Sequence, residues 1–296
     1  MAKLLPRKIA HPLEAAGAAV AFGLFRLLPV DVASAIGGFI GRNFGPLTGI
    51  SQRAERNLQR AMPELSAAER KRIIRGMWDN LGRVITEYPH IPEITRNPGK
   101  GGRVEVAGMD NASAIHGGDK AGILFSGHLA NWEVFALALR DIGLPYTQVY
   151  RAPNNPIVDR MIRKVRRLGD DAIVPKGAAG ARKALEVLKS GRILGMLVDQ
   201  KMNDGISAPF FGIEAMTAPA VAQLGMRFKC PVLPVRIERM SGCRFRITAY
   251  PALQLRETGD RKADLRAAMT EINAMLEGWI RERPEQWLWL HRRWPG

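Results

Sequence analysis

The sequence predicts a mixed, largely parallel α/β sheet flanked by helices, preceded by a helical N-terminal region. Three observations carry this. From about residue 104 onward, short apolar runs alternate with helix-period patterns, as strands joined by crossover helices do. Before that point the patterns are helical throughout. One stretch, "PVLPVRIERMSGCRFRITAYP", instead reads as two strands turning at Ser241-Gly242, an antiparallel hairpin.

Residues 1–45 read as apolar helices broken near Pro29. The uncharged run from Ala15 to Phe25 is 11 residues, against about 20 needed to cross a bilayer. Arg26 and Asp31 then interrupt it. Three readings fit: a signal peptide with basic Lys3, Arg7 and Lys8, a buried helix pair, or a segment that dips into one leaflet with its cations at the headgroups. The last accounts best for Arg26 and Asp31, and the Ala and Gly content also permits close helix packing. Residues 46–100 form a second helical region that packs on the core. In it, 50–66 is a basic amphipathic helix ending before Pro63. Ser66 with Glu69 forms a capping box for the next helix. That helix places Ile73, Ile74, Met77, Trp78, Leu81 and Ile85 on one face.

The Gly/Pro-rich "NPGKGG" at 97–102 marks the start of an α/β core over 101–296. Strands are predicted at 104–108, 121–127, 146–151 and 192–200. Helices are predicted over 130–142, 155–169, 178–191, "APAVAQLGMRFKC" and about 261–283, the second and third closed by Gly169 and Gly191. In an open sheet of this kind ligands gather at the carboxyl ends of strands. His128, Arg151 and Asp199 all fall there.

The chain has 296 residues, room for one large domain or two small ones. Lys and Arg number 44 against 28 acidic residues, a net charge of +16. Such a surface attracts anions: nucleic acid, anionic lipid, a phosphorylated substrate or an acidic carrier protein. Zinc-finger spacing and RNA-binding aromatic motifs are absent, which argues against nucleic acid. Two cysteines 13 apart, Cys230 and Cys243, read as buried thiols rather than a disulfide framework. The five histidines form no metal-binding spacing, so no metal is expected, and His291 reads as structural.

The chemistry centres on "LFSGHLANWEVFALAL". Gly127 lets the backbone leave the strand without a Cβ, and His128 stands at its end. Asn131 is a plausible helix cap. Glu133 lies in the first helical turn, where the helix dipole favours a carboxylate, within reach of the imidazole. A carboxylate on one ring nitrogen frees the other to take a proton from an alcohol. With no G-x-S-x-G and no cysteine nearby, the nucleophile is then the substrate's own hydroxyl, and acyl transfer is the natural reaction. A His with an acid five places later is also common by chance, and from spacing alone a satisfied histidine in a polar turn is at least as good a reading.

"GHLANWE" resembles the G-H-x-x-N-W-E/D pattern of the late acyltransferases of lipid A biosynthesis, the lauroyl/myristoyl type, which belong with the His-x4-Asp/Glu glycerolipid acyltransferases. "VYRAPNNPIVDRMIRKVRR", "GMLVDQKMNDGISAPFFGIEAMTAPAVAQLGMRFKCPVLPV" and "PEQWLWLHRRW" resemble three further family blocks, in family order, over roughly 120–294. The resemblance implies a glycerolipid acyltransferase-like fold. It implies transfer of a fatty acyl chain from acyl carrier protein to a hydroxyl of a lipid A precursor, usually that of a 3-hydroxyacyl chain, with the carrier thioester as donor and no cofactor. His128 is then the general base, Glu133 its partner, and Arg151 faces the substrate phosphate or the developing oxyanion. Asn131, Tyr150, Asn154, Asp159, Asp199, Gln200 and Thr217 fall in the substrate-binding blocks, and Phe210 and Phe211 wall an acyl groove. Asn154, Asn155 and Asp159 suit loop geometry better than chemistry.

The implied partners are acyl carrier protein, an anionic phosphorylated glycolipid and the cytoplasmic face of the inner membrane, with peripheral or monotopic attachment and no nucleic acid. The "WLWLHRRW" tail suits a membrane interface or a packed terminus. Two rivals stand beside this reading: an acyltransferase acting on another glycolipid, and a non-enzymatic basic membrane-binding protein.

Overall fold

A break at Pro29 separates the first two helices of the computed structural model, which describes residues 7–113, 115, 120–150, 152–167, 169–175 and 177–294. These helices are α1 (Arg7–Arg26) and α2 (Val30–Phe44). α3 (Ser51–Ala61) and α4 (Ala67–Glu87) follow, then the single turn α5 (Ile91–Ile94). The capping box at Ser66 is present: its hydroxyl accepts from the Glu69 amide, and the Glu69 carboxylate accepts from the Ser66 amide at 2.8 Å.

Glycine lets α2 and α4 approach closely. A Cβ on Gly41 would fall 2.0 Å from the Trp78 carbonyl oxygen, and one on Gly82 would fall 2.1 Å from that of Gly37. The charges that interrupt the apolar N-terminus are paired. Asp31 takes a two-pronged hydrogen bond from Arg103 (2.9 and 2.7 Å), and Arg26 lies 3.7 Å from Glu93. Among the described residues, no helix is long and apolar enough to cross a membrane. Leu13, Val20, Leu24 and Leu27, then Phe39 and Phe44, remain exposed on α1, α2 and the turn between them.

The sheet region supplies β1 (Val104–Ala107), β2 (Gly122–Ser126), α6 (Phe135–Asp141), β3 (Tyr146–Val149), α7 (Pro156–Val165), β4 (Ile173–Val174), α8 (Gly177–Lys189) and β5 (Ile193–Leu197). β6 (Lys201–Phe210) and β7 (Ile213–Thr217) come next, then α9 (Ala220–Phe228), β8 (Val232–Ser241), β9 (Arg244–Ala249) and α10 (Arg261–Glu282). Seven strands form one sheet in the order β1-β9-β8-β2-β5-β3-β4. Every pairing in it is parallel except β8 with β9, the hairpin expected at Ser241-Gly242.

Two sequence expectations need correcting. The helix expected from residue 130 starts as a tight 3-10 turn at Trp132–Val134 and becomes α-helical only at Phe135. The β6–β7 hairpin was not anticipated. Its turn holds Phe211 (φ 54°) and Gly212 (φ 70°), both left-handed, as a two-residue hairpin turn requires. The Phe hides the signal that Asn or Asp before Gly normally gives, and the Phe211 amide is anchored by the Glu277 carboxylate at 2.6 Å.

Candidate active site

β2 is buried along its whole length, and the chain leaves the sheet at Gly127. β2 and β5 pair in register through Ser126↔Leu197, and the Val198 amide continues the ladder onto the Ser126 carbonyl at 2.9 Å. The turns after the two strands are therefore neighbours. That register brings the buried Asp199 against His128. Asp199 Oδ1 lies 2.7 Å from His128 Nδ1, and its Oδ2 accepts from the His128 amide at 2.9 Å. Gly127 packs beside this pair: a Cβ there would sit in ordinary contact with the Asp199 carboxylate, at 3.5 Å, and 3.3 Å from the Leu276 side chain.

Burial disfavours a charged imidazole, but the charge and hydrogen bond of Asp199 outweigh it and hold the His128 pKa above its ordinary 6.5. Burial alone would raise the Asp199 pKa. The facing imidazole, and the hydrogen bonds from His128, hold it well below the usual carboxylate range instead.

The C-terminal tail completes the arrangement. Trp287 Nε1 donates to Asp199 Oδ2 at 2.7 Å. Leu129 and Trp287 form an isolated antiparallel bridge, and the Ala130 amide donates to the Gln286 carbonyl at 2.8 Å. Ala130 has φ 47°, a strained conformation for a residue with a Cβ, and Asn80 Nδ2 holds its carbonyl at 2.9 Å. Trp287, Trp289, Arg293 and Trp294 are all buried, so the tail is packed rather than presented to a membrane.

The structure gives His291, read as structural, partners that its sequence context did not show. Its ring lies 5.1 Å, centroid to centroid, from that of His128. Gln200 Nε2 sits between the two, 3.3 Å from His128 Nε2 and 3.4 Å from His291 Nε2. Burial, with help from the nearby His128 and Arg53, pushes the His291 pKa down to about 4 against the pull of Asp199, so its ring is neutral near pH 7.

Glu133 does not hold the imidazole. The left-handed turn at Ala130 and the Asn131 cap aim it elsewhere: it forms a buried ion pair with Arg166 and accepts from the Tyr88 hydroxyl at 3.3 Å. Arg166 also lies over the Tyr88 and Tyr150 rings, at 5.7 and 5.2 Å, and among the described residues its buried Nε has no hydrogen-bond partner. Nothing in the run "IRKVRRLG" distinguished Arg166 from its exposed neighbours.

Asn131 is fully buried. Its Oδ1 accepts from the Glu133 amide at 3.2 Å and its Nδ2 donates to Glu87 at 2.8 Å, so it shapes the loop and is not presented to a ligand. Arg151 lies outside the described residues. Tyr150 lines the cavity below and donates to Asp159 at 2.7 Å. Asn155 caps α7 and ties it to α1 through the His11 carbonyl at 2.7 Å, while Asn154 is exposed.

Phe210 and Phe211 do not wall an acyl groove. They pack among Trp287, Trp289 and Trp294. Thr217 is also buried, its hydroxyl accepting from Arg293 at 2.7 Å. Both corrections share a cause: the hairpin that carries these residues folds under the tail.

His128, Glu133, Tyr150, Arg166 and Gln200 line one cavity of about 310 Å³. It runs down the sheet face between β2, β3, β5 and α6, with walls of Leu124, Phe135, Leu139, Met196 and Leu197 and the polar Gln148 among them. Its mouth carries the imidazole and its inside suits a hydrocarbon chain. The donor atoms of His128, Asp199 and His291 lie within 4.8 Å of one another, a set that could hold a metal ion. In the structure these donors are engaged with each other and with Gln200.

The sequence pattern of the bacterial lipid A biosynthesis acyltransferases matches residues 6–295. The chain is 27% identical over 278 residues to the lipid A biosynthesis palmitoleoyltransferase of Escherichia coli, covering 90% of this chain and 86% of that one. It is 26% identical over 251 residues to the lipid A biosynthesis lauroyltransferase of the same organism, covering 80% and 76%. Among solved structures, the 1-acyl-sn-glycerophosphate acyltransferase PlsC from Thermotoga maritima is similar, with a TM-score of 0.40 and 14% identity over 86% of this chain and 98% of that one. A match over nearly the whole chain makes this protein a member of the bacterial lipid A biosynthesis acyltransferases.

Proposed function

We propose that the protein moves a fatty acyl chain from the thioester of acyl carrier protein to a hydroxyl of a lipid A precursor, that of a 3-hydroxyacyl chain, with His128 as general base. The observation that carries this is the Asp199–His128 pair. Nδ1 is taken by the carboxylate, and Nε2 faces Gln200 at the mouth of a cavity with apolar walls.

In the reaction, Nε2 takes the hydroxyl proton as the oxygen attacks the thioester carbonyl. Asp199 stabilises the imidazolium that forms. The C–S bond then breaks and the departing sulfur receives the proton from His128, leaving an ester and the carrier's free thiol. The buried Arg166–Glu133 pair forms part of the cavity wall beside the reacting groups, with an Arg166 Nε that no described residue engages. A net charge of +16 favours an acidic carrier, a phosphorylated acceptor and an anionic bilayer. The exposed apolar side chains of α1 and α2 support seating on the inner-membrane surface without a span.

The test is His128→Ala, assayed in detergent with an acyl carrier protein donor and purified lipid A precursor. Turnover is expected to fall at least ~100-fold, while the variant keeps its native circular dichroism at the assay temperature and still floats with anionic phosphatidylglycerol vesicles. Near-normal turnover would remove His128 from the role of base. Failure of the parent protein to float would overturn the membrane seating.

A further inference from the structure

A second cavity of about 540 Å³ lies behind the first. The two share Tyr146 and Arg166 in their walls. α6 runs beside both, with Phe135 and Leu139 facing the first and Ala136 and Arg140 the second. The partition is therefore thin, and Tyr146 is the larger apolar part of it.

Tyr146 opens β3, and its ring lies flat across Gly195 of β5. A Cβ on Gly195 would fall 2.2 Å from Tyr146 Cδ2, so only glycine leaves room for the ring there. Arg166, the other member, is held in place by Glu133. Beyond the partition the walls mix apolar residues, Ile115, Ala136, Pro145 and Ile193, with the charged Arg140 and Arg192. A hydrocarbon chain entering past His128 runs along Leu124, Leu139 and Met196, with Gln148 beside them, until the Tyr146 ring closes the cavity.

We propose that the Tyr146 ring, seated on Gly195, is the floor of the acyl cavity and sets the longest chain the enzyme accepts. This rests on the acyl-transfer reading above. A chain that ends short of the ring stays within the first cavity. One that is too long must displace a ring packed against the sheet or leave carbons outside. A methylene that does not fit such a pocket costs about 10-fold or more in discrimination.

The experiment uses the whole protein and a graded series of saturated chains from octanoyl to stearoyl. Transfer from the acyl carrier thioesters gives kcat/KM for each length. Binding of the matching S-alkyl pantetheine thioethers, which cannot transfer, reports the cavity by itself. Tyr146→Ala is expected to raise kcat/KM at least ~10-fold for chains just beyond the parent's cut-off, and to move the binding cut-off in the same direction. Adding Gly195→Ala to Tyr146→Ala returns a methyl group to the floor and draws the cut-off partway back. Tyr146→Phe keeps the ring and the parent cut-off.

A Tyr146→Ala profile that falls equally at every length, or does not move, overturns the proposal. So does binding without length dependence, or no binding at all. If thioethers bind with a cut-off that shifts while no protein transfers acyl groups, the floor stands and the acyl-transfer reading fails. Should Tyr146→Ala not fold, Tyr146→Leu carries the same prediction with a smaller shift.

Discussion

Asp199 grips His128 twice, through the backbone amide at 2.9 Å and the ring Nδ1 at 2.7 Å. One carboxylate therefore sets both where the residue stands and how its ring is turned. A third donor, Trp287 Nε1, holds the carboxylate in turn. His128 is positioned by a strand-end acid 71 residues away and by the last turns of the chain.

Asp199→Asn places an amide group where three donors converge, so at least one donor loses its acceptor. Turnover is expected to fall roughly 100- to 10,000-fold. The pH profile separates this from general damage. In the parent, kcat/KM rises with pH through the His128 pKa, which lies above 6.5. Without the Asp199 charge, burial weighs against the charged ring with only Glu133 opposing it, and the limb moves to lower pH. A limb that stays in place in Asp199→Asn would show that Asp199 does not tune the base.

His291 gives the protein an acid sensitivity of known sign. Its pKa is about 4 when folded against an ordinary 6.5. Between those values the unfolded chain holds a proton that the folded chain does not. Stability is therefore lost as pH falls through this window, by at most about 3 kcal/mol, and the loss levels off below the folded value. His291→Gln is expected to flatten the dependence of urea unfolding on pH between 6.5 and 4. An unchanged slope would assign the sensitivity to other groups.

Glu87 ties four parts of the chain together. Arg239 of the β8–β9 hairpin grips it through two nitrogens, at 2.5 and 3.0 Å. Ser34 of α2 donates at 2.6 Å, and Asn131 of the His128 loop at 2.8 Å. Glu87→Ala leaves a buried guanidinium unpaired and should cost ~3–5 kcal/mol, read as a lower urea midpoint. Breaking the Arg246–Glu105 pair, whose side chains are 41% and 62% exposed, should cost under ~1 kcal/mol. Equal losses in the two variants would show that burial does not decide the effect.

The local rules of the chain were legible from its residues. The capping box at Ser66–Glu69, the breaks at Pro29 and Gly191, the hairpin at Ser241-Gly242 and the strand end before His128 each depend on neighbours a few positions apart. The β6–β7 hairpin escaped because Phe211 occupies a left-handed position where Phe is not expected. Arg166 escaped because α7 and the turn after it present several cations with the same local pattern, and only packing against Tyr88 and Tyr150 buries this one.

The sequence by itself determined the alternation of strands and helices, the family, and the placement of His128 at a strand's end. Only the tertiary structure decided which acid serves it. Glu133 is five residues away along the chain, but the left-handed turn at Ala130 sends it to Arg166, while the parallel register of β2 with β5 delivers Asp199. Sequence spacing constrains what local backbone geometry can bring together. A partner 71 residues distant is chosen by strand pairing and by the tail that closes over it, and these exist only in the folded chain.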